Sequence, residues 1–370
     1  MRDQRTSFVL AFLMMCVIIL LMTIFASASL NTGSSARAFC LYEPTRNAIL
    51  DSKNPDLKLP MASTTKIMTG ILAIEYGQLD ELIEIPKEAT GIEGSSVYLK
   101  PNDRLTCRDL VYSLLLQSAN DAACALAYAI SGDVSEFVNL MNDKADKIGL
   151  KNTHFDNPHG LDSETHYTTA RDLAILSAYA LQNDIFCEVV STYSYSFYIS
   201  EKPRNLVNHN KLLKSCDGCI GIKTGFTDES GRCLVSAAIR NGVTLIAVTL
   251  NDPTDWADHK RLYDVGFSSI SKALVSDFLD NSLEIPILGA KEPTVSAIID
   301  FDEDDYLVKL NPDETVNIKL QYNPMQSAPI SIDEKIGEAV VMVDNSELAR
   351  YDILSKENIL PQKQKFSIFN

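Results

Sequence analysis

An apolar run, interrupted only by Thr23, extends from Phe8 to Phe25; Arg2 and Arg5 precede it and Ala26-Ser27-Ala28 follows. This is the layout of an export segment, with small residues where a signal peptidase cleaves. Its length also approaches that needed to cross a bilayer of ~30 Å. Residues 1–28 are therefore expected to be a signal peptide or an N-terminal membrane anchor, with the rest of the chain exported.

Downstream the pattern alternates between strand and helix periods. Arg37–Tyr42 reads as a strand, Glu43–Asn47 as a turn and Ala48–Asp51 as the return. Leu59-Pro60-Met61-Ala62 leads into a helix from about Ser63 to Tyr76. Its apolar residues Ile67, Met68, Ile71, Leu72 and Ile74 cover nearly the whole circumference, which predicts burial on every side. Gly77 is a natural stop. Thr106 is placed to cap a helix over Cys107–Leu116, with Asp109 in its first turn. Ser118-Ala119-Asn120 interrupts the helical pattern, which resumes from Asp121 to Ile130 and again from Glu136 to Ile148. Asn157-Pro158-His159-Gly160-Leu161-Asp162 is dense in turn formers and predicts a loop. Thr169 caps a further helix from Ala170 to about Leu181.

Tyr193, Tyr195, Phe197 and Tyr198 alternate like a packed strand, and Ile220–Thr224, Cys233–Arg240 and Val243–Leu250 are strand-like, with a hairpin signal at Asn241-Gly242. Lys260–Ile270 predicts a helix. Helical periodicity then fades, and Thr294–Ile299, Tyr306–Leu310, Val316–Tyr322 and Ala339–Asp344 are short β-type segments separated by Pro, Asn and Asp. They predict a small all-β domain, with a boundary near residues 276–284.

A length of 370 residues accommodates two such domains. The formal charge of −16, with no basic stripe, disfavours a nucleic-acid partner and fits a solvated acidic surface. Outside the export segment there are seven cysteines, Cys40, Cys107, Cys124, Cys187, Cys216, Cys219 and Cys233, an odd number and so no complete disulfide framework. Cys216 and Cys219 form a lone CxxC, weak as a metal signal. His154, His159 and His166 match no common zinc spacing, so no metal or other cofactor is expected.

Three motifs carry chemistry. Ser63 and Lys66 lie at i and i+3, on one face of a helix. A serine at a helix N-terminus meets the positive end of the backbone dipole, and a lysine enclosed in an apolar helix is pushed towards its neutral, basic form. Ser118 and Asn120, two apart between helices, can both point into one cleft. Lys223-Thr224-Gly225 at a strand end offers a cation, a hydroxyl and room for a substrate backbone to lie along the strand.

The three in this order are the set of serine β-lactamases and penicillin-binding proteins. Met61–Thr69, Leu116–Ala123, Asn157–Asp162 and Gly221–Thr227 resemble the low-molecular-mass penicillin-binding proteins, serine-type D-alanyl-D-alanine carboxypeptidases, over residues ~37–270. The resemblance implies an α/β (α+β) β-lactamase/transpeptidase-like domain, an antiparallel sheet flanked by helices, over 29–278, followed by the β-rich domain over 284–370. It implies Ser63 as nucleophile, Lys66 as general base and Ser118, with Lys223, as proton relay. Asn120, Lys223, Thr224 and Gly225 would bind substrate, and the backbone N–H groups of Ser63 and Phe226 would form the oxyanion hole. The implied partners are a peptidoglycan stem peptide ending in D-Ala-D-Ala and β-lactams as covalent inhibitors; contact with the membrane would run through the N-terminal segment.

Some relatives carry an arginine for the substrate carboxylate where this chain has Asp258. Lys260 and Arg261 are nearby, and Arg232 and Arg240 read as surface strand residues. A serine β-lactamase is an alternative, with Glu164 its one acidic candidate for activating water. A peptidoglycan endopeptidase or transpeptidase, or a β-lactam sensor that acylates once, shares the same first half-reaction.

Overall fold

A computed structural model describes residues 33–362 apart from Asp280, Asn281, Glu303, Asp304, Pro312 and Asn345. The export segment expected at 1–28 lies outside the described residues. Two compact units form, one running to Arg240 and including Thr244–Gly266, the other comprising Asn241–Val243 and the chain from Phe267. This division falls upstream of the 276–284 expected from periodicity.

The first unit opens with strands β1 (Ala38–Glu43) and β2 (Ala48–Lys53), then a 3-10 turn (Ala62–Thr65) that continues as helix α1 (Lys66–Tyr76). A small pair, β3 (Leu82–Glu84) and β4 (Arg104–Thr106), precedes α2 (Cys107–Leu116), α3 (Asn120–Ser131), α4 (Val134–Lys147), α5 (Ala170–Ala180) and α6 (Asp184–Ser191). A hairpin of β5 (Ser194–Ile199) and β6 (Lys202–Val207) follows, then β7 (Cys219–Thr227), β8 (Gly231–Arg240), β9 (Val243–Leu250) and α7 (Asp255–Ser269). The main sheet has the order β2-β1-β9-β8-β7. β7 is therefore an edge strand, with one rim unpaired within the sheet.

Local chemistry explains the key elements. Thr106 and Asp109 form a reciprocal capping box at the start of α2; such a cap contributes ~1 kcal/mol. Every residue of α1 from Lys66 to Ile74 is buried. Gly70 lets α1 close on α2, where a Cβ would stand 3.2 Å from Leu115. Truncating Ile67 or Leu72 to alanine in this core would cost about 2–5 kcal/mol. A central helix so enclosed is a rigid mount for the side chain at its first position.

In the second unit β10 (Ser271–Leu274) pairs with β13 (Tyr306–Lys309). Strands β11 (Leu283–Pro286), β12 (Thr294–Asp300), β14 (Val316–Tyr322), β15 (Lys335–Val343) and β16 (Ser346–Ser355) form a five-stranded sheet of order β11-β12-β16-β15-β14. Val295, Ala297, Val341 and Ile353 are among its fully buried residues. The pairing of β10 with β13 draws the division between units towards Gly266.

Candidate active site

The 3-10 turn that carries Ser63 is braced from within. Thr64 Oγ1 donates to Met61 O at 2.6 Å and Thr65 Oγ1 to Ala62 O at 2.8 Å. Ala62 enters it at φ +47°, a conformation that costs a non-glycine residue free energy and is held by its surroundings. One turn on, Lys66 Nζ lies 2.9 Å from Ser63 Oγ.

Lys66 is fully buried. Its Nζ also reaches Asn120 Oδ1 at 2.7 Å and the main-chain carbonyl of His159. Asn120 Nδ2 donates to Glu93 O, which fixes the orientation of the amide. Burial, and then the nearby Lys223, hold the Lys66 ammonium well below the usual lysine range. An uncharged amine has two N–H donors and one lone pair. Asn120 Oδ1 and His159 O can only accept, so they take both donors. In that uncharged form the lone pair would face the hydroxyl proton of Ser63, whereas the ammonium form donates to Ser63 Oγ.

The loop that supplies the His159 carbonyl is built by Asn157. Its Oδ1 accepts from the backbone N–H groups of His159 and Gly160, and its Nδ2 donates to Leu161 O. Gly160, at φ +91°, passes so close to the nucleophile turn that a Cβ would stand 1.9 Å from Ala62 O. His166 ties the same loop region to the turn. Its Nδ1 accepts from Asp156 N at 2.9 Å, so Nε2 carries the proton donated to Thr65 Oγ1 at 2.8 Å. Burial keeps this ring neutral, with its pKa down to about 4. His159 is likewise held down to about 3 by burial and then by Lys66. Among the described residues no group of three His, Cys, Asp or Glu side chains is placed to hold a metal ion.

Ser118 sits between α2 and α3 at φ +60°, 4% exposed, and lines the same cleft as Ser63. Asp121 is buried beside it and accepts from Ser96 Oγ and from the backbone N–H groups of Val97 and Leu99. It thereby anchors the segment that contributes Ser95 to the cleft rim. On β7, Lys223 is 1% exposed and donates to Thr224 O at 2.8 Å. Burial brings its pKa down to about 7. Thr224, Gly225 and Phe226 line the cleft.

The cleft has a volume of about 310 Å³. It therefore brings Ser63, Ser118, Thr224, Gly225 and Phe226 to one cavity, with Lys66 and Asn120 bonded to each other behind it. The expectation for Arg232 needs correction: it lines this cavity, as do Asp255 and Trp256 of α7 and His209 and Lys211 ahead of β7. Arg232 Nε and Nη2 donate to Asp255 at distances from 2.8 to 3.1 Å. Asp258 is buried and accepts from Ser34, Ser35, Thr254 and Arg261. Arg240 pairs with Asp264. Glu164 is exposed and does not line the cavity. Cys216 and Cys219 are separate free thiols.

The family model described as D-alanyl-D-alanine carboxypeptidase matches residues 26–254, and that described as Penicillin-binding protein 5, C-terminal domain, matches residues 280–360. The chain is 30% identical over 343 residues to D-alanyl-D-alanine carboxypeptidase DacF of Bacillus subtilis (strain 168), covering 88% of this chain and 86% of that protein. It is 38% identical over 249 residues to D-alanyl-D-alanine carboxypeptidase DacC of Escherichia coli (strain K12), covering 63% and 61%. Among solved structures, penicillin binding protein 5 from Haemophilus influenzae superposes with a TM-score of 0.68 at 27% identity, covering 88% of this chain and 98% of that one. With the Ser-Lys pair, the Ser-Ala-Asn bend and the Lys-Thr-Gly edge strand around one cleft, the chain belongs to the D-alanyl-D-alanine carboxypeptidase family of serine peptidases.

Proposed function

We propose that this protein removes the terminal D-alanine from peptidoglycan stem peptides through an acyl-enzyme on Ser63. The observation that carries the reading is the 2.9 Å contact between Ser63 Oγ and a desolvated Lys66 amine. Lys66 takes the hydroxyl proton as Ser63 Oγ attacks the carbonyl between the last two residues. The oxyanion is received by the backbone N–H groups of Ser63 and Phe226. Ser118, with Lys223, passes a proton to the leaving D-alanine nitrogen. Asn120 and the rim of β7 hold the acyl-side peptide, Gly225 giving it room, and Thr224 meets the terminal carboxylate. Water then hydrolyses the ester. β-Lactams, which mimic the D-Ala-D-Ala end, acylate the same serine.

An exported chain would do this work on the extracytoplasmic face of a bacterial cell, secreted or held by residues 1–28, in cell-wall maturation. Among the described residues no single helix is long and apolar enough to cross a membrane. A β-lactamase reading gains less support: Asp255 is the one carboxylate among the described residues lining the cleft, and Arg232 engages it.

The test is Ser63→Ala. It is expected to abolish both D-alanine release from diacetyl-L-Lys-D-Ala-D-Ala and covalent labelling by a fluorescent penicillin, with an unchanged circular dichroism spectrum. Retained labelling sinks the assignment of Ser63. Fast, repeated turnover of nitrocefin by the wild type would favour the β-lactamase.

A further inference from the structure

We infer that Arg232 binds the free carboxylate at the C-terminus of the substrate, and that Asp255 positions it to do so. The inference rests on the carboxypeptidase reading above. An enzyme confined to the last peptide bond must recognise a terminal carboxylate, and a penicillin carries its own carboxylate at the matching end.

The cations of the site divide by what already holds them. Lys66 is committed to Ser63, Asn120 and the His159 carbonyl, and Lys223 donates to Thr224 O; Lys211, exposed on the segment ahead of β7, also lines the cavity but offers a single ammonium on a flexible stem, without a planar fork. Arg232 opens on the cavity, with 42% of its side chain exposed, while the side chain of Asp255 is 4% exposed. Asp255 takes the Nε and Nη2 donors. Among the described residues, Nη1 makes no hydrogen bond, so two N–H donors of a fixed, planar fork remain for a ligand. Trp256 stands beside the guanidinium, with Cζ 5.6 Å from its ring centroid.

The register places this group usefully. Arg232 pairs with Phe226 across β7 and β8, two residues beyond Thr224. A carboxylate held there can accept from the Thr224 hydroxyl and from Arg232 Nη1 together. The first turn of α7, by contrast, offers the cavity an aspartate and a tryptophan and no cation of its own. Asp258 is consumed by contacts with Ser34, Ser35 and Arg261. The guanidinium thus comes from the neighbouring strand, and α7 supplies its anchor.

The experiment compares second-order acylation of the full chain by benzylpenicillin and by its methyl ester, which lacks the charge. A charge-assisted hydrogen bond predicts that Arg232→Gln slows the acid by about 10- to 100-fold and leaves the ester near the wild-type rate. The acid-to-ester ratio is insensitive to any unfolded fraction, which lowers both rates alike. Arg232→Lys, which keeps the charge without the fork, is expected between the two, and Asp255→Asn should lower the ratio by less than Arg232→Gln. A wild-type ratio in Arg232→Gln overturns the assignment of Arg232, and a wild-type ratio in Asp255→Asn overturns the positioning role. If the wild type reacts with neither compound, the carboxypeptidase reading itself falls.

Discussion

Gly225 passes Ser63 so closely that a Cβ on residue 225 would stand 3.0 Å from the Ser63 backbone nitrogen, 3.1 Å from Ala62 Cβ and 3.2 Å from Thr64 N. The atoms it would meet belong chiefly to backbone, which gives less readily than a flexible side chain. Gly225→Ala therefore moves β7 and the nucleophile turn apart by a few tenths of an ångström. Reaction rates fall steeply with such misplacement, about 10²-fold per ångström. Gly225→Ala is expected to slow penicillin acylation roughly tenfold, and Gly225→Val further, with melting temperatures close to wild type. An unchanged acylation rate would mean that the strand and the turn separate freely.

The Lys66–Asn120 contact makes a prediction about pH. Asn120 accepts from Lys66 without carrying a charge. Asn120→Asp puts a carboxylate 2.7 Å or so from the amine and stabilises the ammonium form. Deprotonation of Lys66 then requires a higher pH. The ascending limb of the acylation rate should move upward, and the rate at neutral pH should fall by about a hundredfold. Stopped-flow acylation across the pH range checks this. A limb that stays in place would show that Lys66 does not carry the proton in the rate-determining step.

Gly160 links the loop of Asn157 to the nucleophile turn. At φ +91°, with Ala62 O 1.9 Å from where a Cβ would be, an alanine there is strained in conformation and in space. Gly160→Ala is expected to destabilise the protein by about 1–3 kcal/mol. It should also withdraw the His159 carbonyl from Lys66 and so lower the acylation rate. Urea unfolding and acylation measured together test this; stability unchanged with full activity would contradict the packing described.

Much of this architecture is legible in local sequence because local physics dictates it. The apolar circumference of α1 announces a buried helix, Thr106 and Asp109 announce its neighbour's cap, and Asn241-Gly242 announces a hairpin. Short or mixed elements escape. α6 has only 8 residues, and β16 interleaves Glu347, Arg350 and Asp352 with its apolar positions. In the site, side chains within a motif are legible, whereas partners brought in by the fold are not. The acceptor at His159 is a main-chain oxygen with no residue-type signal. Arg232 reads as solvated because its anchor Asp255 is 23 positions away in sequence. Only the packing of the first turn of α7 beside the start of β8 brings the two together.

Burying Lys223 has a consequence for stability that is independent of catalysis. Burial lowers its pKa to about 7 in the folded protein, against about 10.4 in an unfolded chain. Between these values the unfolded state binds a proton that the folded state does not, so stability rises with pH, by up to about 1.4 kcal/mol per pH unit. Below pH 7 both states hold the proton and the penalty of burying the charge is complete; above about 10.4 it is gone. Lys223→Met keeps the length and removes the titration. The variant is expected to be more stable than wild type at pH 7, with the difference shrinking steadily towards pH 9. Removing Lys223 also takes a positive neighbour away from Lys66, which favours the variant further at the acid end and leaves the sign of the trend unchanged. Urea unfolding of the pair at pH 6, 7, 8 and 9 measures the difference directly. Parallel pH profiles would mean that Lys223 keeps its proton in the folded protein, and Lys66 would then face a full positive charge across the site.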